Sequence, residues 1–237
     1  MPSFLLPDAP NAYRYRPLKN GDFGWDVYAL QTGLREAGYS IGAAGADGWF
    51  GADVDEAVKA FQQARGLEVD GIAGILTQTH IVKTLAPDAT AKYKLPRNAL
   101  KGQIEKESGN QLGNHSGEYG DGSYDIGVTQ RNTRYHTYED GFDVGDSIEY
   151  LAAYIRERFD KYSEPACAQR LKDRGLPQTD PRRKWELAQG AWNRPAYANY
   201  LAGRPMSESL KPTSAQLDWL NGYISRVTCY VQTWPSA

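Results

Sequence analysis

Cysteine and histidine are scarce in this sequence of 237 residues, which holds two of the former and three of the latter. A catalytic zinc needs three protein ligands. The C-terminal half offers only His115 and His136, with no H-E-x-x-H spacing, so no metal and no cofactor is expected. Cys167 and Cys229 either pair or stay free; spacing alone leaves both open. Long apolar runs are also missing. No stretch reaches the about 20 apolar residues that a membrane-spanning helix requires, so no membrane insertion is expected. The first residues, Met1 to Asp8, carry neither a basic region nor an apolar core of the secretory kind. Cytoplasmic residence is therefore expected. Nor is there an excess of either charge: 27 basic and 29 acidic residues are interspersed and net to −2. That balance argues against nucleic acid and against an anionic surface as partner.

Aromatics are plentiful, with sixteen Tyr and six Trp. Such rings fill cores or stack on sugars, and composition does not choose between the two. Order is more informative. Residues 1–17 are rich in Pro and Tyr and read as an irregular lead-in. From Leu18 an echo appears: Leu30-Gln31 precedes Asp47-Gly48-Trp49-Phe50-Gly51, and Phe61-Gln62 precedes Asp70-Gly71-Ile72-Ala73-Gly74. Val27, Leu30, Leu34 and Ala37 form one helical stripe, stopped by Gly38. Val54, Ala57, Val58, Phe61 and Ala64 form a second, with Gly66 beyond its end. Ile75 opens a third short helix. This segment closely resembles the small three-helix peptidoglycan-binding domain, whose G-x-x-V-x-x-L-Q, D-G-x-F-G, A-V-x-x-F-Q and D-G-x-x-G elements all occur here in order. The resemblance implies a wall-binding module over residues 18–84, with Asp47, Gly48, Trp49, Phe50, Asp70 and Gly71 at its binding turns and bacterial cell-wall peptidoglycan as its partner.

Polar residues 85–97, with Pro87 and Pro96, read as a linker. Residues 98–237 read as mostly helical. Asp146 or Ser147 is placed to cap a helix that buries Ile148, Leu151, Ala152, Ile155 and Phe159. Trp185, Ala188, Ala191 and Trp192 suit another. Ser214 is placed to cap the last, with Leu217, Leu220, Ile224, Val227 and Val231 inward. The expected class is mainly α: a three-helix wall-binding domain, a linker and an α-rich second domain.

Within Asn98–Gly109, Leu100, Ile104 and Glu107 fall on a helical stripe about 60° wide, at about 100° per residue. Glu107 thus faces inward, in the last turn before Gly109. Poor solvation and the negative end of the helix dipole both push a carboxyl there toward its protonated form. A protonated Glu suits donation to a glycosidic oxygen, although a Glu paired with a buried Arg would fit the stripe equally well. Beyond Glu107-Ser108 come a Gly-rich stretch, then Gly127-Val128-Thr129-Gln130, then Ala191-Trp192-Asn193. This order resembles goose-type lysozymes and the lytic transglycosylases of the same fold, which carry E-S, G-L-M-Q and A-Y-N. The resemblance implies Glu107 as general acid, with Ser108, Gln130, Trp192 and Asn193 lining a sugar cleft. Tyr124 and Tyr197 are further cleft candidates by proximity to these motifs. Asp121, nine residues before Gln130, matches an acidic residue that positions water in goose-type lysozymes. A second acid of that family corresponds to Asn132, which cannot take a proton. Muramidase chemistry is narrowly expected over formation of a 1,6-anhydro product. The whole arrangement resembles monomeric phage endolysins, held in the host cytoplasm until lysis.

Overall fold

The computed structural model describes residues 15–205, 211–229 and 231; most of the expected lead-in, 1–14, lies outside them. As expected, the chain is mainly helical. It divides into two compact units whose borders differ from those expected. The first comprises residues up to Ala86 together with Glu107–Glu149; the second comprises Pro87–Lys106 and Tyr150 onward.

The first unit contains α1 (Trp25–Glu36), α2 (Ala52–Ala64) and the start of α3 (Ile75–Lys92). Both apolar stripes read from the sequence are buried at Val27, Leu30, Leu34, Val54, Ala57, Val58 and Phe61. Gly38 and Gly66, each with positive φ, end the first two helices as anticipated. Two isolated antiparallel bridges, Leu18 with Ala73 and Phe23 with Trp49, tie the turns together. The other face of α1 is buried as well. Trp25 stacks on Phe142 with centroids 5.6 Å apart, and the Thr32 hydroxyl accepts from the Val144 amide at 3.1 Å. A Cβ on Gly33 would lie 2.7 Å from Ile81. The three-helix module therefore shares a core with α5 (Tyr138–Phe142) and the start of α6 (Val144–Tyr162). The Leu112 amide extends this union by donating to the buried Gln78 side chain at 3.1 Å.

No polar linker separates the regions as expected. Helix α3 runs on to Lys92 with Pro87 inside it, because Val82, Ala86 and Ala89 keep a helical stripe buried.

In the second unit, prolines open α7 (Pro165–Asp173), α8 (Pro181–Gly190) and α9 (Pro195–Leu201), where a missing N–H costs nothing. α10 (Ser214–Thr228) is capped by Thr213, one residue before the expected Ser214, in a reciprocal box with Gln216. Val231 lies beyond its end. Phe159 of α6 stacks on Trp185 at 3.8 Å, and Gly190 lets Leu220 and Ile224 approach α8 closely. Both cysteines are free, Cys167 buried and Cys229 exposed. No helix among the described residues is long and apolar enough to cross a membrane.

Candidate functional site

The two Asp-Gly turns are built by one device used twice. Gln31 of α1 donates to Asp47 Oδ1 at 2.7 Å and to the Trp49 carbonyl at 3.0 Å, and accepts from the Gly48 amide at 2.6 Å. Gln62 of α2 does the same with Asp70 Oδ1 (2.8 Å), the Ile72 carbonyl (3.0 Å) and the Gly71 amide (3.0 Å). Each Asp also accepts from the amide two residues on, Trp49 or Ile72. Both glycines have φ near +75°, which favours glycine. Asp47, Gly48, Asp70 and Gly71 are thus engaged in holding the turns. Phe50, expected among the wall contacts, is fully buried and is a core residue. Trp49 is exposed.

Of the second group of expected residues, Glu107 and Ser108 end α4 (Ala99–Ser108), and Asp121, Tyr124 and Gln130 lie on the segment that follows it. Leu100 and Ile104 are fully buried and Glu107 is half-buried on the predicted stripe; Ser108, outside that stripe, is buried too. Gly109, at φ +62°, stops the helix. The Gly-rich stretch then folds into a hairpin. The Gly127 amide donates to Asn114, Ser116 to Asp125 and Tyr119 to Ser123. A further pairing joins β1 (Asp125–Ile126) to β2 (Arg131–Asn132), with Asp125 opposite Asn132. Gly127 has φ +73°, and a Cβ there would lie 1.8 Å from the Gly141 carbonyl. The G-V-T-Q turn is therefore pressed directly onto α5. Gln130 closes it with φ +57° and donates to the carbonyls of Gly127 (2.9 Å) and Asn114 (3.3 Å). Asn114 in turn donates to the loop that leaves α4 at Gln111.

Asp121 stands exposed at the hairpin tip. Its Oδ1 accepts from the Ser123 hydroxyl (2.6 Å) and amide (3.0 Å), and its Oδ2 pairs with Arg134 at 3.0 Å. The Ser123 bonds, with Arg134 behind them, hold its carboxyl below the ordinary value. Asn132 donates to Asp125 at 2.9 Å, and Asp125 also accepts from the Tyr119 hydroxyl. Tyr124 reaches Glu118 through its hydroxyl at 2.9 Å. The sequence reading missed Ser123, Arg134 and Tyr119, and the D-x-S turn signature was the signal for the first. In the second unit, Trp192 meets Tyr150 and Tyr154 edge-on at 5.9 and 5.2 Å. Asn193 Oδ1 is buried with no donor among the described residues. Tyr197, on α9, is half-buried. Among the described residues, no group of three or more His, Cys, Asp or Glu side chains is arranged to hold a metal ion.

Residues 24–81 match the family model of the peptidoglycan binding domain. The chain is 40% identical over 92 residues to the N-acetylmuramoyl-L-alanine amidase CwlL of Bacillus licheniformis, covering 39% of this chain and 24% of that protein. It is 35% identical over 83 residues to a spore cortex-lytic enzyme of Bacillus cereus, covering 35% of this chain and 31% of that one. The chain thus spans about a quarter to a third of these curated relatives. It carries a peptidoglycan-binding domain and is homologous to cell-wall lytic enzymes.

Proposed function

We propose that this chain binds peptidoglycan and cleaves the β-1,4 bond between N-acetylmuramic acid and N-acetylglucosamine, with Glu107 as general acid. The observation that carries the reading is the placement of Glu107. It stands half-buried at the end of a helix whose inner stripe is apolar, and it leads straight into a hairpin closed by the G-V-T-Q turn. A carboxylic acid so placed delivers its proton to the leaving oxygen as the glycosidic bond breaks. Ser108, Gln130, Tyr124, Trp192, Asn193 and Tyr197 are proposed to line the sugar cleft. Asp121 orients the attacking water. Acting from the host cytoplasm once the membrane is breached, such a monomer would serve as an endolysin.

The surroundings of Asp121 favour a second reading. With Oδ1 held by Ser123 and Oδ2 by Arg134, its carboxylate is a weak proton acceptor. The 6-hydroxyl of the muramic acid residue would then close on the anomeric carbon. That gives a 1,6-anhydro product lighter by one water, and Glu107 takes the hydroxyl proton as base.

Mass spectrometry of fragments released from purified sacculi separates these outcomes. Hydrolysis leaves reducing muropeptides, and ring closure leaves anhydro ones. New L-alanine amino termini would instead place the chemistry with the amidase relatives and overturn the glycosidase reading. Glu107→Gln is expected to lower release by roughly 10²–10⁴-fold, the usual contribution of a general acid. Release at the parent rate would remove Glu107 from the mechanism.

A further inference from the structure

The internal duplication of the wall-binding module supplies its own control. Gln31 and Gln62 hold their turns with matching hydrogen bonds, and the residue after Asp-Gly is Trp49 in one copy and Ile72 in the other. The turn therefore folds as well around an aliphatic side chain. Nothing in the clamp calls for an indole at position 49.

The indole nonetheless stands in water, 54% exposed, and stacks on Phe23, itself 60% exposed, with centroids 5.7 Å apart and planes 15° from parallel. The strands beneath the two rings are fixed. The Gly24 amide donates to Gly48 at 2.9 Å, Phe50 to Asp22 at 2.9 Å, and Gly21 to Phe50 at 2.9 Å. Two large rings held on a rigid turn expose apolar area that a partner would cover with little ordering cost.

Charge indicates which part of the wall covers them. Two carboxylates flank the pair, and both are already engaged. Asp22 accepts from the Lys19 amide at 2.8 Å and pairs with Arg16 at 3.0 Å. Asp47 accepts from Gln31 and from the Trp49 amide. An amine of a peptide stem would find the Asp22 charge already paired with Arg16, and Asp47 Oδ1 already taken by Gln31 and the Trp49 amide. The two rings themselves offer a flat, apolar, preorganised surface, and the C–H face of a pyranose ring matches it.

We infer that Phe23 and Trp49 form a stacking platform for the neutral sugar rings of the glycan strand, and that the peptide stems are not what this part of the module reads. The inference rests on the peptidoglycan-binding assignment of residues 24–81 and is independent of the chemistry at Glu107.

The test is cosedimentation of the full chain, carrying Glu107→Gln, with two polymers: intact sacculi, and glycan strands stripped of their peptide stems. Binding to both polymers is expected. Trp49→Ile, which copies the second repeat and so preserves the turn, is expected to weaken binding to stripped glycan about tenfold, equivalent to about 1.4 kcal/mol. Phe23→Ala should do the same, and Trp49→Phe should retain most of the binding. Free stem peptides should not compete. Loss of binding on stripping the stems, or parental binding by Trp49→Ile, would overturn the platform. Lysis by the Glu107→Gln chain is scored in a separate assay, so either reading can fail while the other stands.

Discussion

Gly127→Ala probes the seam between the G-V-T-Q turn and α5. At φ +73° an alanine pays the left-handed penalty of about 1–2 kcal/mol. Its Cβ would also lie 1.8 Å from the Gly141 carbonyl oxygen and 2.8 Å from its carbon, so backbone has to move. Overpacking of that kind costs about 1–3 kcal/mol. The expected loss is about 2–5 kcal/mol. Gly141→Ala makes a useful contrast. Its Cβ would meet Cδ1 and Cγ1 of Ile126 at 2.4 and 2.5 Å, side-chain atoms that can turn away, so only the overpacking cost of about 1–3 kcal/mol applies. At about 2–4 °C per kcal/mol for a chain of this size, Gly127→Ala should lower the melting temperature by roughly 5–20 °C, and Gly141→Ala by less. The assays are scanning calorimetry and the clearing of sacculi well below the transition. Because Gln130 donates to the Gly127 carbonyl, a displaced turn carries Gln130 with it. A misplacement of about 1 Å can cost 10²-fold in rate. If Gly127→Ala melts and lyses like the parent, the turn is not seated on α5 as described and Gln130 is not held by it.

Gln62→Leu should cost about 3–5 kcal/mol in chemical denaturation. It removes a bond to the Asp70 carboxylate and leaves the buried Gly71 amide without its acceptor; a cost below 1 kcal/mol would refute the clamp. His136 gives a pH signature. Burial, then the neighbouring Arg131, hold its imidazole below the ordinary value of about 6.5, against the opposing pull of Asp140 and Asp146. The unfolded chain therefore binds this proton more readily than the folded one. Stability should fall as pH drops below about 6.5, and His136→Asn should flatten that decline in urea titrations. An unchanged slope would show that His136 is not the group responsible.

The duplicated module could be read from the sequence because its spacing encodes its bonds: each helix carries a Gln set to reach the Asp-Gly turn that follows. The inward stripe of α4 was equally readable, since Leu100 and Ile104 fix the face on which Glu107 sits. What escaped was packing by small and polar residues. Thr32 and Gly33 look like solvent-facing positions on α1, yet the Thr32 hydroxyl holds the Val144 amide, and Gly33 leaves room for Ile81 and Val144. Only tertiary contact reveals such roles, so sequence pattern alone places residues 107–149 in the second domain. The apparent linker misled for a related reason. Pro87, Asp88 and Lys92 break the apolar pattern, but Val82, Ala86 and Ala89 recur at helical spacing and bury one side of α3. At the hairpin tip, Asp121 could be recognised as an acid, but its engagement with Ser123 and Arg134 could not, because Arg134 reaches it only once the chain has folded back.

The shared core between α1 and α5 bears on any attempt to recombine this chain with cell-wall lytic enzymes. A cassette excised at residue 84 would leave behind Phe142, the partner of Trp25, together with the Val144 amide bound by Thr32 and the Leu112 amide bound by Gln78. The transplant would carry a greasy, unsatisfied back into its new host. A chimera that also brings residues 107–149 would keep that surface sealed, and the unit of exchange here is therefore discontinuous in the gene.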